Sequence, residues 1–131
     1  MKRMRMLLLS VLLLCLIGCG GMVTIGGFSS IYFNNDDYDA AVQEVMTAFK
    51  EFEGCTLKKI EYAGDKAVKA AADDKNLAPE QIIVLTSTFT TDSEEHDNGF
   101  EPDQTYEGYT WILTRITSSD PFWTIEEHGL R

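Results

Sequence analysis

The stretch NNDDYDAAVQEVMTAFKEFEG, residues 34–54, decides the fold. Tyr38, Ala41, Val42, Val45, Met46, Phe49 and Phe52 recur at spacings of three, one, three, one, three and three. That spacing draws one broad apolar stripe down a helix from about residue 36 to 53. Asn34 or Asn35 caps its start, and Asp36, Asp37 and Asp39 put carboxylates near the first turn, where the helix dipole favours anions. Lys50 falls in the last turn and Gly54 supplies a left-handed stop. The other face, Gln43, Glu44, Thr47 and Glu51, is polar and suits solvent. A stripe this wide, with residues this large, lies across a sheet; a cofactor box is the sharper alternative.

The strands for that sheet follow in order. Residues 55–63, CTLKKIEYA, switch parity between Leu57 and Ile60, which predicts a bulge near Lys58-Lys59 or a strand part-buried on both faces. Asp65 caps a second, short helix through about Asp74, whose alanine-rich face is small and suits packing at an edge; Asn76 to Pro79 ends it. Residues 81–92, QIIVLTSTFTTD, open on a continuous apolar run, as in a strand covered on both faces, and then alternate. Residues 93–105 form an acidic loop of unusual length. The clearest strand is 105–116, TYEGYTWILTRI, with Tyr109, Trp111, Leu113 and Arg115 on one side. Ser118-Ser119-Asp120-Pro121 turns the chain into a last strand, 122–127, FWTIEE. Consecutive strands with short or looped connections imply an antiparallel meander.

Upstream of all this, Lys2, Arg3 and Arg5 precede the apolar run Met6 to Ile17, and Leu16-Ile17-Gly18-Cys19 closes it. A positive segment and about a dozen apolar residues fit a secretory signal and are too short for a spanning helix. The ending resembles the lipobox of bacterial lipoproteins. That resemblance implies cleavage between Gly18 and Cys19 and diacylation of the Cys19 sulfur. Residues 1–18 are then the signal, 19–27 a lipidated cysteine with a flexible tether, and 28–131 one α+β domain. The tether, GGMVTIGG at 20–27, is glycine-rich and reaches about 15 Å from the membrane. Residues 28–33, FSSIYF, form either a short strand or a hydrophobic lead-in to the helix.

Loss of the signal leaves eight basic against 21 acidic residues, a net charge near −13. Such a field keeps a domain soluble and repels anionic partners. Nucleic acid is excluded as a partner, because it requires a basic stripe. Docking on anionic headgroups is disfavoured too, so the acyl chains must hold the protein to the membrane. Cys15 leaves with the signal and Cys19 carries lipid, so Cys55 stands alone and no intrachain disulfide forms in the domain.

Several features recur together: the lipobox, the capped helix, Phe52-Glu53-Gly54-Cys55-Thr56-Leu57, Tyr62 and Ile83-Val84-Leu85-x-Ser87-x-Phe89. Thr105-Tyr106, Trp111-Ile112-Leu113-x-Arg115, Trp123 and Gly129 complete the set. As a set they resemble a family of small lipoproteins and secreted domains, mostly from Gram-positive bacteria, that carries a domain-of-unknown-function label. The resemblance runs from about Tyr32 to the end, implies an extracytoplasmic location and names no catalytic residue. Leu130 departs from it, an aromatic being expected after the glycine. The element order is also similar to cystatin-like and NTF2-like domains: one long helix on a curved antiparallel sheet of about four strands, plus a short second helix. Those folds host binding modules, transport factors and enzymes alike.

Three constellations are candidates for function. Tyr109, Trp111 and Arg115, with Phe89 or Trp123 beside them, make a ligand-binding set for a small organic anion; the alternative is a core under the helix, with Arg115 in a strand-end ion pair. The acidic loop, with Asp92, Glu94, Glu95, Asp97, Asn98, Glu101 and Asp103, offers oxygens for calcium, but Thr105 falls where an EF-hand needs its bidentate Glu. His96 or His128 with a carboxylate would make an acid–base pair. Neither stands in a nucleophile motif, and with Cys55 they do not make a zinc set. The expectation is a lipid-anchored protein on the extracytoplasmic face of the cell membrane, binding a small molecule or protein partner without metal, cofactor or catalysis. The alternative is an NTF2-like isomerase or cyclase with an acid–base pocket, and a structural or envelope-stress lipoprotein stays open.

Overall fold

The computed structural model describes residues 22–131. The signal segment, the Gly18 cleavage position and Cys19 lie outside the described residues. The elements are β1 (Thr24–Ile25), α1 (Asn35–Phe49), β2 (Cys55–Tyr62), α2 (Asp65–Lys75), a 3-10 turn at Pro79–Gln81, β3 (Ile82–Thr91), β4 (Thr105–Thr114) and β5 (Thr124–Leu130). The class is α+β, and the strands lie in one sheet in sequence order.

Helix α1 starts as its sequence dictates. The Asn34 side chain accepts from the Asp37 N–H while the Asp37 carboxylate accepts from the Asn34 N–H, a reciprocal cap. Tyr38, Ala41, Val42, Val45 and Phe49 are buried, each large one worth about 1.5–3 kcal/mol in transfer terms. The helix is shorter than its stripe, 15 residues rather than a span to residue 53. From Lys50 the N–H groups bond three residues back, the backbone turns, and Gly54 reaches φ +73°. The unwinding swings Phe52 off the helix and onto Phe89, Tyr109 and Trp111.

The sheet has five strands and is mixed, not four and antiparallel. β2 to β5 form the expected meander, with the expected break between Leu57 and Lys59. The addition is β1, which lies within the predicted tether and pairs in parallel with β2, Thr24 opposite Lys59 and Ile25 opposite Ile60. Beyond it Gly26 donates to the Ile60 carbonyl, and the Tyr38 hydroxyl donates to the Gly26 carbonyl. Phe28 stacks on Tyr38 at 4.4 Å. Residues 28–33 are thus the hydrophobic lead-in, not a strand. The direction of β1 also fixes where the chain enters. It comes in beside the start of β2 and the end of α1, where Val23 sits with Phe49, Phe52 and Leu57.

Register assigns the two faces. Leu85, Trp111, Ser87 and Tyr109 pair across β3 and β4 on the face that α1 covers. Val84 and Ile112 point to the opposite face, where α2 lies. Ile82 to Leu85 are therefore all buried, as a run covered on both sides must be. Two expectations are corrected here. Helix α2 packs over a sheet face through Val68 and Ala72, not at an edge. Asp65 does not cap it: Gly64 holds the cap position without a side-chain bond, and Asp65 is the first helical residue. The last strand is also displaced, 124–130 instead of 122–127, because the Trp123 indole N–H turns inward to donate to the Asp37 carbonyl.

Candidate functional site

The residues expected to line an anion pocket are packed. Tyr109, Trp111 and Arg115 are 6 %, 0 % and 5 % exposed. The Trp111 indole donates to Ser87 Oγ at 2.9 Å, and Ser87 in turn donates to the Tyr109 carbonyl. Phe52 stacks on Trp111 at 5.6 Å from one side, and the His128 imidazole at 4.8 Å. The Tyr109 hydroxyl is hydrogen-bonded to His128 Nδ1 at 2.7 Å. This face is the aromatic core, and it leaves no open cavity at Trp111.

Arg115 lies apart from those rings. Its Nη1 donates to Asp37 Oδ1 at 2.8 Å and to the Asp120 carbonyl, and its Nε donates to the Glu80 carbonyl at 2.8 Å. The guanidinium lies 4.4 Å over Trp123 and 5.8 Å from Phe33. One cation so joins the start of α1, the entry to β3 and the β4–β5 connection. The ion pair foreseen as the alternative is present, and its partner is Asp37.

A second polar centre joins residues 30, 62 and 65. Ser30 Oγ and the Tyr62 hydroxyl both donate to Asp65 Oδ1, at 2.6 and 2.5 Å, and the Ile31 N–H donates to Oδ2. Burial works to raise the Asp65 carboxyl, but the hydrogen bonds from Ser30, Tyr62 and Ile31 outweigh it and hold the group below its usual range. Burial, and then the bond to Asp65, push the Tyr62 phenol up. The cluster pins the lead-in segment to the start of α2. A local sequence reading sees Asp65 only as a helix cap, because Ser30 lies 35 residues away.

The acidic loop folds back on the core. Phe100 packs on Phe52 and Phe89, the Asn98 amide donates to the Glu53 carbonyl, and Thr91 Oγ1 donates to the Glu101 carbonyl. His96 Nε2 is 3.0 Å from Asp92 Oδ1, and its Nδ1 is 3.8 Å from Glu53 Oε1. Gly54 is needed for its φ, and a methyl group there would also push that imidazole away from its place. Among the described residues no group of three or more His, Cys, Asp or Glu is placed to hold a metal ion. Cys55 is free, with its thiol pushed up by burial first and then by the Asp92 charge, the opposite of an activated nucleophile.

The Asp92–His96 pair makes the loop pH-dependent. The hydrogen bond to Asp92 raises the His96 pKa, burial works against it, and the Asp92, Glu53 and Glu94 charges add to the rise. The same bond lowers Asp92. The histidine contribution is complete below its unfolded value near ~6.5 and disappears as pH rises through the raised folded value. The aspartate contribution is complete above its unfolded value near ~3.9 and disappears as pH falls through the lowered one. Protection of the amides of residues 93–99, taken as exchange relative to an unstructured chain at the same pH, is thus expected to be greatest between those limits and to fall on the alkaline side. His96→Ala abolishes the alkaline step; a step unchanged in that variant would refute the assignment.

Open clefts among the described residues include three. One, about 450 Å³, runs between α2 and the second sheet face, lined by Ala67, Ala70, Ala71, Val84, Thr110 and Ile112. Alanines on α2 leave this space, and at its edge Glu127 bonds both Lys75 and Arg131, at 2.7 and 2.8 Å. A second cleft, about 380 Å³, lies where the chain enters, beside Val23 and Phe52. A third, about 350 Å³, lies at the β4–β5 connection. No protein-family model, no curated protein and no solved structure matches the chain. The surface itself must therefore supply the reading. No helix among the described residues is long and apolar enough to cross a membrane.

Proposed function

We propose that the chain is an extracytoplasmic lipoprotein, cleaved after Gly18 and acylated on Cys19, whose α+β domain is a non-enzymatic module binding a ligand or partner. The family of small uncharacterised lipoproteins it resembles fits that reading. The observation that carries it is the order of the first segments: positive residues, a short apolar run and a lipobox, then a strand of the folded sheet five residues after Cys19. Five residues reach at most about 17 Å, so the acyl group would hold the domain close over the membrane. With the strand included, the free tether is shorter than the composition of 20–27 suggests. The antiparallel part of the sheet under one helix is the feature shared with cystatin-like and NTF2-like domains; the parallel β1 and the second-face α2 are departures.

The polar groups support binding over catalysis. Arg115–Asp37 and Ser30–Tyr62–Asp65 each join distant segments, and the one thiol near the Asp92–His96 pair, Cys55, is pushed up and not activated. Ligand or partner recognition then falls to the clefts and not to the packed Trp111 face. The direct test is labelling with radioactive palmitate in a bacterial host. Incorporation is expected in the native chain and should vanish in Cys19→Ala, with the protein moving to the soluble fraction. Label persisting in that variant would overturn the anchor.

A further inference from the structure

Three of the largest apolar side chains at the surface, Ile31, Ile116 and Phe122, are 84 %, 81 % and 77 % exposed. All three belong to connections at one end of the domain. Ile31 precedes α1 and its N–H is held by Asp65, at the start of α2. Ile116 and Phe122 flank Arg115 and Trp123 on the β4–β5 connection, and Trp123 packs on Phe33 at 5.8 Å. The chain from Cys19 enters at the opposite end, beside Phe49, Phe52 and Cys55. In the lipoprotein reading, on which this inference rests, the apolar end therefore points away from the membrane.

Ile116 and Phe122 form the walls of the 350 Å³ cleft, with Thr114, Arg115, Asp120, Thr124 and Glu126 around them. The one cation there is already neutralised, because Arg115 is bonded to Asp37 at 2.8 Å. The two carboxylates are not. Asp120 accepts from the Phe122 N–H and Glu126 accepts from Thr114 Oγ1, both neutral donors, and neither forms an ion pair among the described residues. Unpaired negative charge between two exposed apolar walls fits a positive group on an apolar stem with an apolar neighbour. A free organic cation would leave Ile31 and most of Phe122 in water, whereas a polypeptide covers them. We propose that this end docks a protein segment in which lysine or arginine alternates with leucine or an aromatic residue.

The test uses the acylated chain in phosphatidylcholine nanodiscs and, as probe, a short fluorescent peptide of alternating lysine and leucine, read by anisotropy against empty discs. Saturable, salt-sensitive binding is expected. The double variant Ile116→Ser/Phe122→Ser alters only exposed side chains and should weaken it by about tenfold or more. Glu126→Gln should weaken it several-fold at low salt. Glu94→Gln/Glu95→Gln removes the same kind of charge from the distant loop and should leave it unchanged. Equal loss in the loop variant would reduce the effect to net charge. No loss in the apolar double variant, binding no stronger than to empty discs, self-association through Phe122, or insertion of this end into phosphatidylglycerol vesicles would each overturn the proposal. Intact mass of the same preparation reports acylation separately, so a failed anchor and a failed docking surface give different results.

Discussion

Arg115→Ala is expected to remove about 3–5 kcal/mol of stability, as breaking a buried ion pair does. The side chain is 1 % exposed and its partner Asp37 is 19 % exposed, so truncation strands a carboxylate with little water to replace the guanidinium. The Glu80 and Asp120 carbonyls lose their donor at the same time, and Trp123 loses the cation above its ring. Arg115→Lys should recover only part of this, because an ammonium cannot serve Asp37 and Glu80 in one plane and stack as well. Urea unfolding of the two variants measures both numbers. Arg115→Met removes the charge while keeping bulk. If Arg115→Met proves as stable as the native chain, the ion pair is not what holds the three segments together. An Asp37→Ala/Arg115→Ala cycle gives the coupling, and Asp37→Ala alone also removes the reciprocal cap of α1.

Trp111→Ala should have a comparable effect, about 3–5 kcal/mol, through cavity formation in a core with no exposed route for water. The indole touches Phe52, Tyr109 and His128 as well as the sheet, so the loss extends to the segment after α1 and to β5. Near-ultraviolet circular dichroism should collapse with the melting midpoint. Trp111→Phe keeps an apolar ring and removes only the donor to Ser87 Oγ, which predicts a smaller loss of about 1–2 kcal/mol. If Trp111→Ala instead left stability intact and opened a site for small aromatic molecules, the packed face would be adaptable, and the anion pocket expected from the sequence would return in another form.

The parts of the fold legible in the sequence are those whose signals are local. Helix α1 announces itself through an apolar period and a cap within four residues, β3 through an apolar run that passes into alternation, and β4 through alternation. What was not legible depends on distant partners. Thr24–Ile25 is two residues long and glycine-flanked, and it is a strand only because β2 offers an edge beside it. Trp123 reads as strand by propensity, yet the Asp37 carbonyl lies 86 positions away and takes its N–H. Trp111 and Arg115 stand out in the sequence as an aromatic and a cation on one strand face. Whether Trp111 lines a cavity turns on Phe52 leaving its helix, which the period of 34–54 argues against. The third cleft carried no signal beyond two apolar residues in a turn.

The entry of the chain through β1 also has a mechanical side. If Cys19 is acylated as proposed, a pull from the membrane would act along a strand parallel to β2, and the first bonds would be loaded in shear rather than opened one after another. Among the described residues, Val23 packed on the core, the pairing of Thr24 and Ile25, and the Gly26 amide resist, with the Tyr38 hydroxyl behind them. If they yield, residues 24–27 come free of β2. The next catch is Phe28 stacked on Tyr38, followed by Ser30 bonded to Asp65. In that reading β1 and the lead-in are two catches in series, and the β2–β5 meander, α1 and the Arg115 junction lie behind both.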